Sequence, residues 1–398
     1  MTATAHGTAV HRDRDIGRWL GAYTTSVTGD VVYFTALTWA VAEAAGPARA
    51  GLVLAAGAVP RAVLMLGGGV LADRFGPRGV LIGSDLVRCL TVLAAAALTY
   101  VRGPELVPLC VLAVCFGVAD ALFLPAVGAL PARLAGRDRL TRVQGLRSLA
   151  VRLANTVGPL GAAAALTAGG ASGAFAAVGA LFAVSLVLLA ALRVRGPSRP
   201  APERTPMRAQ LADGLRYLRA RPALLRLVAV IGLGEMCFSG PVGTALVLLT
   251  GERGWSPGTL SLLLGAFSAA GAAVGIALSA VRAVPAPRAA LAGSLLLTAV
   301  LVSSLGLTGP APGAAVALCA ALGAAGGVPM VLGHALLQQA TDSAYLGRVA
   351  SVTSLCTLGL SPLLFPLAGL VSEVWGAGAF LGGCGGVCLL AAGLACVK

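Results

Sequence analysis

Long apolar segments recur along the whole chain, separated by short polar or charged gaps. A membrane-spanning helix needs about 20 mostly apolar residues, and the chain contains twelve segments of that kind. Their approximate limits are 16 to 42, 50 to 72, 80 to 101, 106 to 130, 143 to 169, 172 to 194, 224 to 249, 257 to 281, 288 to 308, 313 to 337, 347 to 371 and 375 to 396. Backbone groups in lipid must be hydrogen-bonded internally, so these segments predict helices and not strands. We therefore predict an all-α integral membrane protein with twelve transmembrane helices.

The longest polar gap divides the chain into two halves of six predicted spans. We expect an N-terminal six-helix bundle at 1–194, a cytoplasmic central loop at 195–223 and a C-terminal six-helix bundle at 224–398. Within the loop, apolar residues recur at helical spacing among arginines: Met207, Leu211, Leu215 and Leu218. This pattern predicts an amphipathic helix on the inner membrane surface, and a disordered linker is the alternative.

The two halves resemble each other when the sequence is shifted by 205 or 206 residues. The shift aligns Gly29-Asp30 with Gly234-Glu235, Gly69 with Gly275, Arg142-Val143 with Arg348-Val349, and Ser148-Leu149 with Ser354-Leu355. Parallel six-span repeats related by an axis along the membrane normal are typical of one large class of transporters, whose solute site lies between the halves near the midplane. The repeat therefore favours two pseudo-symmetric bundles and a transport function.

The composition excludes a water-soluble protein. Hydrophobic residues make up 58% of the chain and charged residues only 11%, and the mean hydropathy is +0.90, whereas soluble domains contain about 25% charged residues. The nine cysteines lie in apolar segments without CxxC spacing, so we interpret them as packing residues. We expect no disulfide framework, no metal site and no cofactor.

The net charge of +14 comes almost wholly from arginine, because Lys398 is the only lysine. A basic chain can bind nucleic acid, but these arginines concentrate in the gaps between apolar segments, so we expect no nucleic-acid partner. Of the 29 Lys and Arg residues, 22 fall at the N-terminus, in the loops after even-numbered spans or at the C-terminus. The opposite loops contain three. This asymmetry predicts that both termini are cytoplasmic.

The gap between the second and third spans contains a distinctive motif. Residues 69 to 78 read Gly-Val-Leu-Ala-Asp-Arg-Phe-Gly-Pro-Arg, and Asp85 and Arg88 follow in the third span. A glycine at 69 allows two helices to approach closely. Asp73 can cap the third span or pair with an arginine, and the arginines Arg74 and Arg78 favour the cytoplasmic side.

This motif closely resembles the G-x-x-x-D-R-x-G-x-R signature of the major facilitator superfamily. A degenerate copy at 275–288 and the twelve predicted spans extend the resemblance over essentially the whole chain, which is most similar to the efflux branch containing enterobactin and macrolide exporters. In that family the loop closes the cytoplasmic side. The resemblance therefore implies a gating role for Gly69, Asp73, Arg74, Gly76, Arg78, Asp85 and Arg88. A turn that only sets the topology is the alternative.

A second motif lies in the fifth span, where Gly158-Pro159-Leu-Gly161 resembles the antiporter signature of the same family. The match is partial, because alanines stand at 154, 162 and 163, where the signature prefers glycine. The motif makes proton antiport plausible. Alternatively, it is only a kink whose free carbonyl is satisfied by neighbouring helices.

Two acids, Asp30 and Glu235, lie about a dozen residues into their spans and hence near mid-membrane. An acid at that depth costs ~2.5 to 3.5 kcal/mol on insertion scales and is usually functional. The family resemblance places the first and seventh spans on the central cavity. Burial disfavours the charged form of a carboxylate, so either acid could bind and release a proton. A static acid paired with an arginine such as Arg61 is the alternative.

Further polar and aromatic residues are candidates for the substrate cavity. Arg61 could neutralise Asp30 or receive an anionic substrate, and Asp120 could contact substrate or hydrogen-bond another helix. His334, near the inner end of the tenth span, could contact substrate, and an interfacial residue is the alternative. The full set of cavity candidates is Arg61, Tyr23, Thr24, Ser26, Tyr33, Phe34, Phe238 and Asp120. A cavity with few charges and several aromatic rings suits amphipathic organic compounds.

Together these features predict a monomeric, proton-coupled exporter of small amphipathic compounds, such as a drug, antibiotic, siderophore or other natural product, in the cytoplasmic membrane. An importer or facilitator of a small metabolite without proton coupling, or a sensor or channel built on the same bundle, remains an alternative. An ATP-driven pump is disfavoured, because the phosphate-binding motif needs a lysine. The chain has no HExxH motif and only three histidines, so we do not expect an enzyme.

Overall fold

The computed structural model describes residues 3–65, 76–130, 140–192, 207–238, 240–280, 286–342, 345, 348–349, 352–353, 356 and 361–396. These ranges are helical and contain no strand. The helices are α1 (Ala3–Ala45), α2 (Pro47–Met65), α3 (Pro77–Arg102), α4 (Leu106–Ala129), α5 (Leu140–Ala190), α6 (Met207–Arg219), α7 (Pro222–Met236), α8 (Pro241–Glu252), α9 (Pro257–Ala280), α10 (Pro287–Gly306), α11 (Pro312–Ala340), α12 (Ser361–Trp375) and α13 (Ala377–Cys396).

Nine helical segments within the described ranges are long and apolar enough to cross a membrane. One of them, in α5, is 42 residues long and covers two predicted spans. These two spans are separated by a kink at Gly169 and Gly170, and Gly170 has φ +59°, a conformation that glycine adopts without steric cost. The predicted all-α membrane fold is confirmed, and the number of twelve spans stays a prediction.

The chain forms two compact units, residues 1–44 with 56–202 and residues 45–55 with 203–398. The bundle limits given above, 1–194 and 224–398, stay predictions. In the first unit, α2 and α4 are in backbone contact, because a methyl group at Gly117 would collide with the carbonyl of Gly57. Small residues at such crossings are typical of membrane helices, which gain stability from close packing and not from burial away from water.

The second unit contains a similar contact between α9 and α11. A methyl group at Gly323 would collide with the backbone of Phe267, and one at Gly271 would lie 3.1 Å from the carbonyl oxygen of Gly323. Gly117 of the first unit and Gly323 of the second are 206 residues apart, which is the offset of the internal repeat. The repeat therefore extends to the glycines at these helix crossings.

Helix α6 lies at the place where the central loop was predicted to contain an amphipathic helix. Its buried face includes Leu218 and Tyr217, and the ring of Tyr217 stacks on Tyr345 with 4.1 Å between centroids. The hydroxyl of Tyr217 donates a hydrogen bond to Asp342 Oδ2 at 3.0 Å. The helix is thus packed against other residues of the second unit.

Candidate functional site

A buried ion-pair network occupies the first unit, centred on Arg88 of α3. Its guanidinium Nη1 lies 2.8 Å from Asp30 Oδ1 of α1 and 3.3 Å from Asp120 Oδ1 of α4, and Nη2 contacts Asp85 one turn earlier on α3. Arg61 of α2 extends the network, with Nε 2.9 Å from Asp120 Oδ2. Three carboxylates therefore share two guanidinium groups, so the fully ionised network has a formal charge of −1.

Two serines complete the hydrogen bonding around Asp85. Ser26 of α1 accepts a hydrogen bond from Arg88 Nη2 at 2.9 Å and donates one to Asp85 Oδ1 at 3.3 Å. Ser185 of α5 donates to the other carboxylate oxygen. Asp85 thus has partners on three helices, as a buried charge requires.

Aromatic rings surround the Arg88 guanidinium. Its central carbon lies 4.1 Å from the ring centroid of Phe123, 4.7 Å from Phe182 and 5.8 Å from Phe116, within the range of cation–π attraction. These rings enclose the guanidinium, and the Arg88 side chain has no exposed surface. The inner part of the network is therefore closed to water.

The network has an accessible edge formed by Asp30 and Arg61. The Asp30 side chain is 19% exposed and that of Arg61 32%, whereas Asp120 is 3% exposed and Asp85 is fully buried. Asp30 is therefore the carboxylate of the network that a proton can reach most directly.

The remaining cavity candidates of the first unit lie around α1. Tyr23 accepts a hydrogen bond from Arg147 Nε at 3.2 Å, and Thr24 donates one to the Leu20 carbonyl. Tyr33 is buried and stacks on Phe116, with 3.6 Å between centroids, and Phe34 meets the same Phe116 ring edge-on.

The Gly-Pro motif of the fifth span lies in α5 against α1. A methyl group at Gly158 would lie 2.7 Å from a side-chain carbon of Val31, the residue after Asp30. Pro159 and Gly161 follow in the same helix. The absence of a side chain at 158 therefore sets how closely α5 approaches the segment that carries Asp30.

The predicted gating motif is described only in part. Three of its members lie outside the described residues: Gly69, Asp73 and Arg74. Gly76 has φ +77° and directly precedes α3. Arg78 donates hydrogen bonds to the carbonyls of Leu189 at 3.2 Å and Ala190 at 2.8 Å, at the end of α5. This arginine thus satisfies carbonyl groups that a helix C-terminus leaves unpaired.

The second unit contains a smaller acid–base pair. The carboxylate of Glu235, on α7, pairs with the imidazole of His334, on α11. The distance between Glu235 Oε1 and His334 Nε2 is 2.9 Å. The internal repeat predicted a functional position for Glu235, but nothing in the sequence connected it with a residue 99 positions away. Phe238, one turn beyond Glu235, stacks on Phe267 of α9 with 6.2 Å between centroids.

A bundle of apolar helices with acids and bases paired in its interior is typical of membrane carriers for small solutes. The family model of the Major Facilitator Superfamily matches residues 19–366, and the chain therefore belongs to this superfamily of transporters. The resemblance found in the signature motif is confirmed. The protein is a multi-pass membrane transporter whose partners are a small-molecule solute and the lipid bilayer.

Two curated relatives bear the same name. The chain is 27% identical to the multidrug efflux pump Tap of Mycolicibacterium fortuitum over 368 residues, covering 90% of this chain and 89% of the relative. It is also 27% identical to the multidrug efflux pump Tap of Mycobacterium tuberculosis (strain ATCC 25618 / H37Rv) over 367 residues, covering 88% and 85%. The similarity thus extends over nearly the full length of both proteins.

Solved structures share the fold. The nucleoside transporter NupG superposes with a TM-score of 0.74 at 12% identity, covering 96% of this chain and all (100%) of the other. The POT family transporter PepTSo gives a TM-score of 0.70 at 12% identity, covering 96% and 97%. At these identities the likeness shows the fold alone.

Proposed function

We propose that the protein is a proton-coupled exporter of small amphipathic organic compounds that works by alternating access in the cytoplasmic membrane. The efflux pumps among its relatives support export as the direction of transport. The observation that carries the proton coupling is the network around Arg88, in which three carboxylates share two guanidinium groups.

The charge balance of this network favours the binding of one proton. A net charge in a closed, apolar environment is costly unless it is compensated. One proton on any of the three carboxylates makes the network neutral. Asp30 is the best candidate, because the other two acids, Asp85 and Asp120, are almost fully buried.

Proton binding at Asp30 also has a mechanical consequence. The neutral acid loses its charge-assisted contact with Arg88, which still has Asp85 and Asp120 as partners. Since Asp30 belongs to α1 and Arg88 to α3, protonation weakens the connection between these helices. A proton shifts the equilibrium between two conformations only if it binds one of them more tightly. A contact of α1 that is present in one conformation and weakened by protonation provides such a difference.

Substitution Asp30→Asn tests the proposal. We expect the variant to fold and to lose the acceleration of transport by a pH gradient, because an amide cannot exchange a proton. The measurement is uptake of ethidium into inverted membrane vesicles with and without an imposed gradient, acidic inside. We expect the variant's rate with the gradient to fall to the rate without it.

The matched control is Asp213→Asn, which removes an acid from an exposed pair with Arg216 on α6. Its gradient-driven uptake should equal that of the unmodified protein. If Asp30→Asn also retains the full response to the gradient, Asp30 is not the coupling site.

A further inference from the structure

One face of α6 packs on the rest of the second unit. Leu218 is fully buried, and a methyl group at Gly214 would lie 2.8 Å from the carbonyl oxygen of Arg348. Tyr217, on the same face, stacks on Tyr345 as described above. The apolar side of this amphipathic helix is therefore occupied by protein, so the opposite side is the one that can meet a partner.

The opposite side of α6, called here the outward face, consists of exposed residues: Ala212, Leu215, Arg216 and Arg219. The Arg216 side chain is 79% exposed, and its partner Asp213 lies in the same helix, with 3.1 Å between Arg216 Nη1 and Asp213 Oδ1. An exposed pair of this kind contributes little, so the guanidinium is available to a stronger acceptor. Within the part of the chain that the structure describes, Arg219 has no ion-pair partner.

The segment 207–226 carries an excess of positive charge. It contains five arginines and one acid, Asp213. A second acid, Asp342, follows α11 and pairs with Arg221, with 3.0 Å between Arg221 Nη2 and Asp342 Oδ2. Five arginines against two acids leave three formal positive charges on this part of the surface. A partner that complements the segment is therefore anionic.

This charge lies at the edge of a membrane span. The apolar stretch that can cross a membrane begins at Pro222, three residues after Arg219, the last residue of α6. Three residues reach at most about 11 Å, which is close to the Debye length of roughly 8 Å at physiological ionic strength. Leu225, in the first turn of α7, is 39% exposed, and Leu215 is 36% exposed. Guanidinium groups and exposed leucines therefore lie together where lipid headgroups meet acyl chains.

We propose that the outward face of α6 is a docking surface for anionic phospholipids. Arg216 and Arg219 donate hydrogen bonds to the lipid phosphate, and Leu215 and Leu225 contact the adjacent acyl chains. Clusters of arginine directly beside a membrane span bind anionic headgroups through such charge complementarity. The bound lipid supplies the negative charge that the segment 207–226 lacks. This inference goes beyond the proposed export function and does not depend on it.

Lipid binding to the purified full-length protein tests the docking surface. The probes are phosphatidylglycerol, which is anionic, and phosphatidylcholine with the same acyl chains, which has no net charge. Each is titrated onto the protein in an uncharged detergent, and the bound lipid is counted by native mass spectrometry. We expect the double variant Arg216→Gln/Arg219→Gln to weaken phosphatidylglycerol binding about tenfold or more, since each arginine at an anionic surface contributes roughly fivefold in affinity. Its affinity for phosphatidylcholine should not change.

The matched control removes the same charge elsewhere. Arg49→Gln/Arg102→Gln changes two exposed arginines on the side of the membrane that the arginine asymmetry predicts to be opposite α6. This variant should bind phosphatidylglycerol like the unmodified protein. An equal loss of affinity in both double variants would overturn the proposal, since it would reflect total charge and not the outward face. An unchanged affinity in the α6 variant would contradict the proposal as well.

Two further measurements separate lipid docking from other roles. Without lipid, both double variants should keep the thermal midpoint of the unmodified protein, because all four arginines are exposed. A lower midpoint together with weaker binding of both lipids in the α6 variant would show a structural role and rule out the docking surface. The soluble phosphate ester sn-glycerol 3-phosphate should not displace phosphatidylglycerol at an equal concentration. Displacement would identify a site for soluble phosphates and refute lipid docking.

Discussion

Arg88 connects four helices of the first unit through a single side chain. Its guanidinium contacts acids on α1, α3 and α4, and its central carbon lies over the rings of Phe123 of α4 and Phe182 of α5. Arginine suits this place because its planar group bonds several acceptors in fixed directions and stacks on aromatic rings, whereas lysine offers a compact point charge.

The substitution Arg88→Lys should therefore destabilise the fold even though the charge is kept. We expect a loss of about 3 kcal/mol, the size associated with breaking a buried ion pair, measured by thermal or denaturant unfolding of the purified protein. Arg61→Lys is the control, because Arg61 is partly exposed and, among the described residues, pairs with Asp120 alone. Equal stability of the two variants would show that the directional contacts of Arg88 contribute little.

The sequence indicated most members of this network but not how they pair. Asp30, Arg61 and Asp120 were candidates because charges are rare at membrane depth, and the spacing of Asp85 and Arg88 by three residues places them on one helix face. Contacts between distant residues depend on packing. For that reason the sequence indicated Arg61 as one candidate partner of Asp30, whereas in the structure Asp30 pairs with Arg88 and Arg61 pairs with Asp120.

Close helix crossings at glycine are the main packing device at the level of the elements. The crossing of α9 and α11 places Gly323 against the backbone of Phe267. Helix α11 also contains Gly326, where an added methyl group would meet no atom within 4 Å. The two glycines lie one turn apart, so they provide a matched comparison.

Gly323→Ala should separate α9 from α11 and lower the thermal midpoint, since backbone atoms cannot yield as a flexible side chain can. Gly326→Ala should leave it unchanged or raise it slightly, because alanine is favoured over glycine in helices by about 1 kcal/mol. Thermal unfolding in detergent measures both. If Gly323→Ala is as stable as Gly326→Ala, the close crossing of α9 and α11 does not contribute to stability.

Hydropathy located the helices well and their interruptions poorly. The segment 224 to 249 was predicted as one span, but the structure divides it into α7 and α8. An average over about 20 residues does not respond to one break. The Gly240-Pro241 pair was the available signal, because proline lacks the amide that would continue a helix.

The fold of the whole molecule was predictable, because the bilayer restricts a spanning chain to helices or closed barrels. The alternation of apolar segments with arginine-rich gaps predicted a multi-pass membrane protein. The motif from Gly69 to Arg78 predicted the transporter superfamily, which the family model confirms. The substrate could not be predicted in the same way, since related folds carry different solutes on the basis of a few side chains.

Arginine asymmetry predicts the orientation of the whole chain, with both termini and the loop containing α6 on the cytoplasmic side. Reporter insertions test this. A fluorescent protein after Arg221 should fluoresce, and an alkaline phosphatase after Gly103 should be active, because that enzyme matures only outside the cytoplasm. The reverse pattern of activities would invert the predicted topology and the direction of the proposed export.

The network around Arg88 also constrains how the protein is made. Asp85 and Ser185, which share a hydrogen bond, are 100 residues apart, so the ribosome releases α3 well before the second part of α5. In the nascent first unit Asp85 can already pair with Arg88 on the same helix, but it lacks its hydrogen bond from Ser185. The last hydrogen bond of this buried carboxylate therefore forms only when the second part of α5 joins the earlier helices.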